Sequence, residues 1–210
     1  MLKIVELSKV YGRSAVLKGI NLELKKGTYC LFGPNGSGKT TLLKIISGFE
    51  KPTCGRIFFK DLEITGLKAE RISKLGIAIA FQIPHVFWNL SVEQNIFLAC
   101  KDWGKAEEIA EMFRLKGELK YQAKKLSQGK LKLLQISMAF ATKPKLLLLD
   151  EPFAGLDVRN VRLMLEILKE IRAETSMIIT SHRPKLLRGI ADSFLELKGG
   201  KIVESQKNPV

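Results

Sequence analysis

The octapeptide Gly33-Pro34-Asn35-Gly36-Ser37-Gly38-Lys39-Thr40 restricts this chain more than any other feature. It follows a short buried-type apolar stretch, Thr28–Phe32, and opens an apolar-periodic one that runs from Thr40 to about Ser47 and stops at Gly48. Glycines permit the backbone angles with which a chain curls around an anion. Successive N–H groups and a helix amino terminus then face a phosphate chain. In a G-x-x-x-x-G-K-T pattern, Lys39 is placed to reach the outer phosphates. The Thr40 hydroxyl, followed by Thr41, is placed to hold Mg2+. A glycine-rich turn with no ligand is the bland alternative, but it leaves the order strand, loop, helix unexplained. The motif points to an α/β core that binds a nucleotide phosphate and says nothing more.

The first third reads as strands. Lys3–Leu7 and Val16–Leu24 alternate around a turn at Tyr11-Gly12-Arg13, and Arg56–Lys60 with Ile64 suggests another pair. Gly76–Phe81 is a further strand. From Ser91 to Ala141 the pattern is helical. Ser91 with Gln94 gives a capped start, Lys105–Leu115 has helical spacing, and Ser127 begins a helix that continues to Phe140. Strand and helix then alternate again. Leu146–Leu149 reads as a central parallel strand covered on both faces, Val158–Ile171 as a helix and Met177–Thr180 as a strand. Phe194–Leu197 and Lys201–Val203 form a hairpin around Gly199-Gly200, and the polar tail 204–210 is expected to fray. No repeat, low-complexity tract or long linker divides the chain.

Composition narrows the class. With 210 residues, 46% apolar and 27% charged, the chain fits one globular domain. The run Leu146–Leu149 ends at Asp150, far short of the roughly 20 apolar residues of a spanning helix. The opening residues 1–6 alternate like a strand and lack a cleavable signal pattern. Cys30, Cys54 and Cys100 form no CxxC pair and have no neighbouring histidine, so a reducing cytoplasmic compartment is expected. A formal charge of +14 fits attraction to nucleic acid or to an anionic membrane face, and equally well lysines that solvate helix faces.

A second chemical element is Leu146-Leu147-Leu148-Leu149-Asp150-Glu151. A carboxylate at the end of a buried strand lies where ligands collect in this fold class. Asp150 would complete a Mg2+ shell through water, and Glu151 would orient or deprotonate an attacking water. Asp-Glu-Pro ending a strand is the structural alternative. A third element is Leu126-Ser127-Gln128-Gly129-Lys130, where a serine and a glycine open a helix whose amides can face a phosphate.

On these residues, in this order, the whole chain resembles the nucleotide-binding subunits of ABC transporters, with residues 126–130 similar to the LSGGQ signature. The resemblance implies a P-loop NTPase (RecA-like) core with a mixed sheet, an N-terminal antiparallel β subdomain and an inserted helical subdomain. The expected division is one ABC ATPase domain at 1–210, its core at 1–85 and 143–210 and the helical part at 86–142. It further implies ATP and Mg2+ as ligands. A head-to-tail dimer follows, in which Ser127, Gln128 and Gly129 of one copy close the ATP site of the other.

Gln82 matches the Q-loop glutamine that senses Mg2+ and couples to the membrane partner, and Ala154-Gly155-Leu156-Asp157 the D-loop. His182 matches the switch histidine, and Tyr11 the aromatic that stacks on adenine. Read alone, His182 is an ordinary loop histidine and Tyr11 a turn aromatic. Phe81, Phe87 and Trp88 read as packing or partner surface. Peripheral placement on the inner membrane face, beside transmembrane permease subunits, is the implied location.

There are departures. Gln128 stands where glycine is commonest, Lys130 where glutamine is usual, and Leu133 where an arginine often follows. The stretch from Gly76 to Val92 is similar to importers of branched-chain amino acids and urea. With no accessory domain after Val203, larger sugar-import and metal-regulated versions are not expected. The alternative from another class is a soluble ABC-type ATPase acting on nucleic acid, ribosomes or cofactor assembly, supported only by charge. A small kinase or GTPase leaves Gln82 and residues 126–130 unexplained.

Overall fold

The computed structural model describes residues 1–206, with side chains described to residue 203. Strands β1 (Leu2–Tyr11) and β2 (Ser14–Leu24) form an antiparallel hairpin, and β4 (Cys54–Phe59) pairs on the other side of β1, followed by β5 (Leu62–Glu63). β1 is longer than its alternation predicts because its register with β2 shifts at several points between Ile4 and Val10, and Glu6 adopts φ 50°. Such bulges break the two-residue period that marks a strand in sequence.

Six strands make the second sheet, in the order β10-β9-β3-β8-β7-β6. These are β3 (Thr28–Phe32), β6 (Ile77–Ala80), β7 (Leu146–Leu149), β8 (Ser176–Ser181), β9 (Ser193–Lys198) and β10 (Lys201–Gln206). Five run parallel and β10 returns antiparallel, so the sheet is mixed. β10 continues through Gln206, so the expected fraying does not apply to residues 204–206, whose backbone stays paired to β9. Residues 207–210 lie outside the described residues.

β7 shows how sequence sets this layer. Its four leucines are all fully buried, and they alternate between two cores. Leu146 and Leu148 join Leu31, Ile178 and the antiparallel sheet, together with Leu42, Leu43 and Ile46 of α1 (Lys39–Ile46). Leu147 and Leu149 face the opposite side, against Leu133, Leu134, Met164 and Ile167. A strand covered on both faces reads as an unbroken apolar run.

Helices cover that second side. α3 (Val92–Cys100) starts with the Ser91–Gln94 capping box, and α4 (Trp103–Met112) is capped by Asp102. α5 (Gln128–Ala141) is capped by Ser127, and α6 (Val158–Ile171) by Asp157. Each cap satisfies amide donors that a helix start leaves open. A short helix α2 (Ala69–Lys74) was not foreseen. Its six residues bury only Ile72, too little for a periodic signal.

Candidate functional site

Four parallel strands end on the same edge of the sheet. β3 leads into the glycine loop, β6 into Gln82, β7 into Asp150 and Glu151, and β8 into His182. Parallel strands bring their carboxyl ends together, and side chains far apart in sequence then share one crevice. The crevice is a cavity of about 580 Å³ lined by Val16, Asn35, Gly36, Ser37, Gly38, Lys39, Thr40, Thr41, Gln82, Glu151, Ala154 and His182.

The loop is held by geometry that only glycine meets at two points. Gly33 has φ 151°, and a Cβ there would lie 2.2 Å from the Leu197 carbonyl oxygen. Gly38 has φ 104°, and a Cβ would come within 2.8 Å of Leu17. Gly38 is also the residue from which α1 starts, so the amide-bearing end of that helix opens into the cavity. Lys39 is buried, and its Nζ donates to the carbonyls of Gly33 at 2.9 Å and Pro34 at 3.1 Å. The ammonium is thereby curled back over the loop. Ser37 Oγ is buried with no hydrogen-bond partner, a free donor within the cradle.

The acidic pair divides its tasks. Asp150 is buried. Its Oδ2 accepts from Thr40 Oγ1 at 2.8 Å and its Oδ1 from Thr180 Oγ1 at 2.7 Å. Glu151 sits in the left-handed region at φ 47°, uncommon for a residue with a side chain. Its N–H donates to Thr180 Oγ1 at 2.8 Å, and its Oε2 lies 2.9 Å from His182 Nδ1. Cys30, beneath on β3, has its thiol pushed up to about 12 by burial and then by the Glu151 charge. Exposed Cys54 is expected to react with a thiol reagent near pH 8 at least about a hundredfold faster than Cys30. Digestion and mass measurement would show this, and equal labelling of both would contradict the burial.

Other expected site residues lie elsewhere on this chain. Tyr11, half exposed at the end of β1, gives its hydroxyl to Glu50, and burial together with that bond holds its pKa above the usual value. Ser127, Gln128 and Gly129 form the tip of α5, away from the cavity lining. That tip is packed on the loop 154–157 and the first turn of α6: a Cβ at Gly155 would meet Gln128 at 3.2 Å, and one at Gly129 would meet the Asn160 side chain at 2.7 Å. Asp157 caps α6, its Oδ1 accepting from the Asn160 N–H at 2.7 Å. Lys130, which stands in place of the usual glutamine, pairs with Glu118, so its charge is partly neutralised within its own chain.

Three participants left little trace in the sequence. Val16 forms a cavity wall from β2, Thr180 braces both acids, and Gln135 ties α5 to the segment around Gln82. In the amide orientation that satisfies all its partners, Gln135 donates to Phe81 O at 2.9 Å and accepts from the N–H groups of Phe81 and His85, each at 3.1 Å.

Comparison with known proteins agrees with this geometry. The ABC transporter family model matches residues 17–154. "Probable branched-chain amino acid transport ATP-binding protein LivG" of Archaeoglobus fulgidus is 33% identical, over 99% of this chain and 89% of its own length. The high-affinity branched-chain amino acid transport ATP-binding protein BraG of Pseudomonas aeruginosa is 34% identical, over 97% and 91%. Among solved structures, the ADP conformation of MJ1267, an ATP-binding cassette of an ABC transporter, superimposes with a TM-score of 0.90 at 27% identity, covering 99% of this chain and 91% of that one. A phosphate loop, an acidic strand end and a signature helix in one matching chain have one explanation: the protein belongs to the ABC transporter family and is an ATP-binding, ATP-hydrolysing subunit.

Proposed function

We propose that two copies of this chain, or this chain and a homologous ATPase subunit, grip ATP from both sides and use its hydrolysis to move permease subunits in the membrane. The observation that carries the reading is the convergence of Lys39, Thr40, Gln82, Glu151 and His182 on one cavity. The loop amides, Lys39 and Ser37 hold the phosphates, while Tyr11 at the end of β1 offers a ring to adenine. The same cavity is not closed by residues 127–129 of its own chain, which leaves room for the signature tip of a second copy.

The donor set fits Mg2+. Among the described residues no group of three or more His, Cys, Asp or Glu could hold a metal alone. Thr40 Oγ1 and Asp150, with Gln82 at the same edge, supply a few hard oxygen ligands of the kind that leave places for phosphate oxygens and water. Bound there, the ion would neutralise charge on the outer phosphates. In the hydrolytic step Glu151 accepts a proton from water as the water oxygen attacks the γ-phosphorus. The bond from γ-phosphorus to the β-bridging oxygen breaks, and ADP and inorganic phosphate leave. His182 steadies the Glu151 carboxylate through the 2.9 Å contact.

Coupling is proposed at an open groove of about 470 Å³ beside Gln82, lined by Phe49, Phe81, Ile83 and His85 with Thr40 and Asp150 at its inner side. Ile83 is 73% exposed, an apolar side chain beside the nucleotide cavity and suited to a permease helix. The helical part at residues 86–142 would travel with that contact. The LivG and BraG relatives favour an importer of branched-chain amino acid type, with the chain peripheral on the inner face of the membrane. No helix among the described residues is long and apolar enough to cross a bilayer. Nucleic acid is not proposed as a partner.

Capture of the tagged protein from detergent-solubilised membranes is expected to retain a multi-span protein in an ATP-sensitive manner. Recovery without any such partner, together with salt-sensitive binding to DNA or RNA, would contradict the transport reading.

A further inference from the structure

A buried cation outside every recognised motif lies directly beneath Glu151. Lys132, in the second turn of α5, is 4% exposed. Burying an ammonium without satisfying its donors is costly. Its Nζ donates to the carbonyl oxygen of Ala154 at 2.6 Å and to that of Glu151 at 3.3 Å. Those two residues are the ends of one turn, since Ala154 N donates back to Glu151 O at 3.1 Å.

The turn needs such support. Its first residue is Glu151 in the left-handed region, a conformation that persists only where the surroundings over-determine it. Thr180 holds the Glu151 N–H at 2.8 Å, and Arg183 Nη2 donates to Phe153 O at 3.1 Å. Lys132 supplies the remaining two contacts from below. Burial draws its pKa down, and the carboxylates of Glu151 and Asp150 oppose that shift.

We infer that Lys132 is a positioning residue for hydrolysis, holding the turn 151–154 so that the Glu151 carboxylate faces the phosphate cavity beside His182. The inference rests on the catalytic role proposed above for Glu151. Lys132 does not line the nucleotide cavity, and it acts through the turn that carries the carboxylate.

The test is a double-mutant cycle in the full chain, with Lys132→Met and Glu151→Gln made singly and together. Lys132→Met is expected to lower turnover at saturating ATP by about ten- to a hundredfold, as small misplacements of a reacting group do, with KM changed less than about twofold. In the Glu151→Gln background the same substitution should alter residual turnover by less than about twofold and leave ATP-dependent association intact, because groups acting as a unit are not additive. Lys132→Arg, which keeps charge and donors, should restore part of the loss. If Lys132→Met does not fold by thermal unfolding, Lys132→Gln is measured in the same cycle. Wild-type turnover in folded Lys132→Met or Lys132→Gln, or an equal loss in both backgrounds, would overturn the inference. Wild-type turnover by Glu151→Gln alone would remove the role of Glu151, and this inference with it.

Discussion

Replacing Glu151 by glutamine is expected to lower turnover at saturating ATP by about a hundred- to ten-thousandfold, the usual contribution of a positioned general base. Nucleotide affinity should be retained. Glutamine keeps the shape of the side chain and a hydrogen-bond acceptor for the His182 ring, but cannot take a proton from water. The backbone is not expected to move, since the Thr180 and Lys132 contacts are to the N–H and the carbonyl of residue 151. Steady-state phosphate release checks the rate and equilibrium binding of a fluorescent ATP analogue checks affinity. Turnover within threefold of wild type would remove Glu151 from the chemistry.

Replacing Lys39 by alanine should weaken ATP binding by at least about a hundredfold, the scale of lost charge-assisted hydrogen bonds to a buried anion. The substitution removes the bonds of Nζ to Gly33 and Pro34 as well, so the loop loses its internal brace along with its cation. Both effects act on phosphate, and the fold should survive, because α1 and its core contacts at Leu42, Leu43 and Ile46 do not depend on the ammonium. Direct titration with nucleotide alongside thermal unfolding separates the two outcomes. Unchanged affinity in a folded variant would refute the phosphate-loop assignment.

How much of this was legible in the sequence depends on how local each cause is. The Ser91–Gln94 capping box, the Ser127 cap and the four leucines of β7 depend on neighbours within a few residues, and the structure has them as read. The gathering of Asn35–Thr41, Gln82, Glu151 and His182 in one cavity followed from strand order, which the motifs imply together. Causes that act across the fold were silent. Lys130 meets Glu118 and Lys132 reaches Glu151 and Ala154 through tertiary packing, and neither pair has a spacing that marks it. Thr180 is one hydroxyl in a buried strand until Asp150 and the Glu151 amide are placed beside it. β1 ran longer than its pattern because bulges scramble alternation, and α2 was too short to show one.

ATP is expected to be enclosed by two chains, with the phosphate loop of one facing Ser127 and Gly129 of the other. Sedimentation of Glu151→Gln protein with and without ATP measures that enclosure. A single chain of 23.5 kDa is expected without nucleotide and a species of twice that mass with ATP, lost again when Ser127 is replaced by arginine. ATP-loaded Glu151→Gln protein that binds nucleotide tightly yet sediments as one chain, alone and with its membrane partner present, would contradict it.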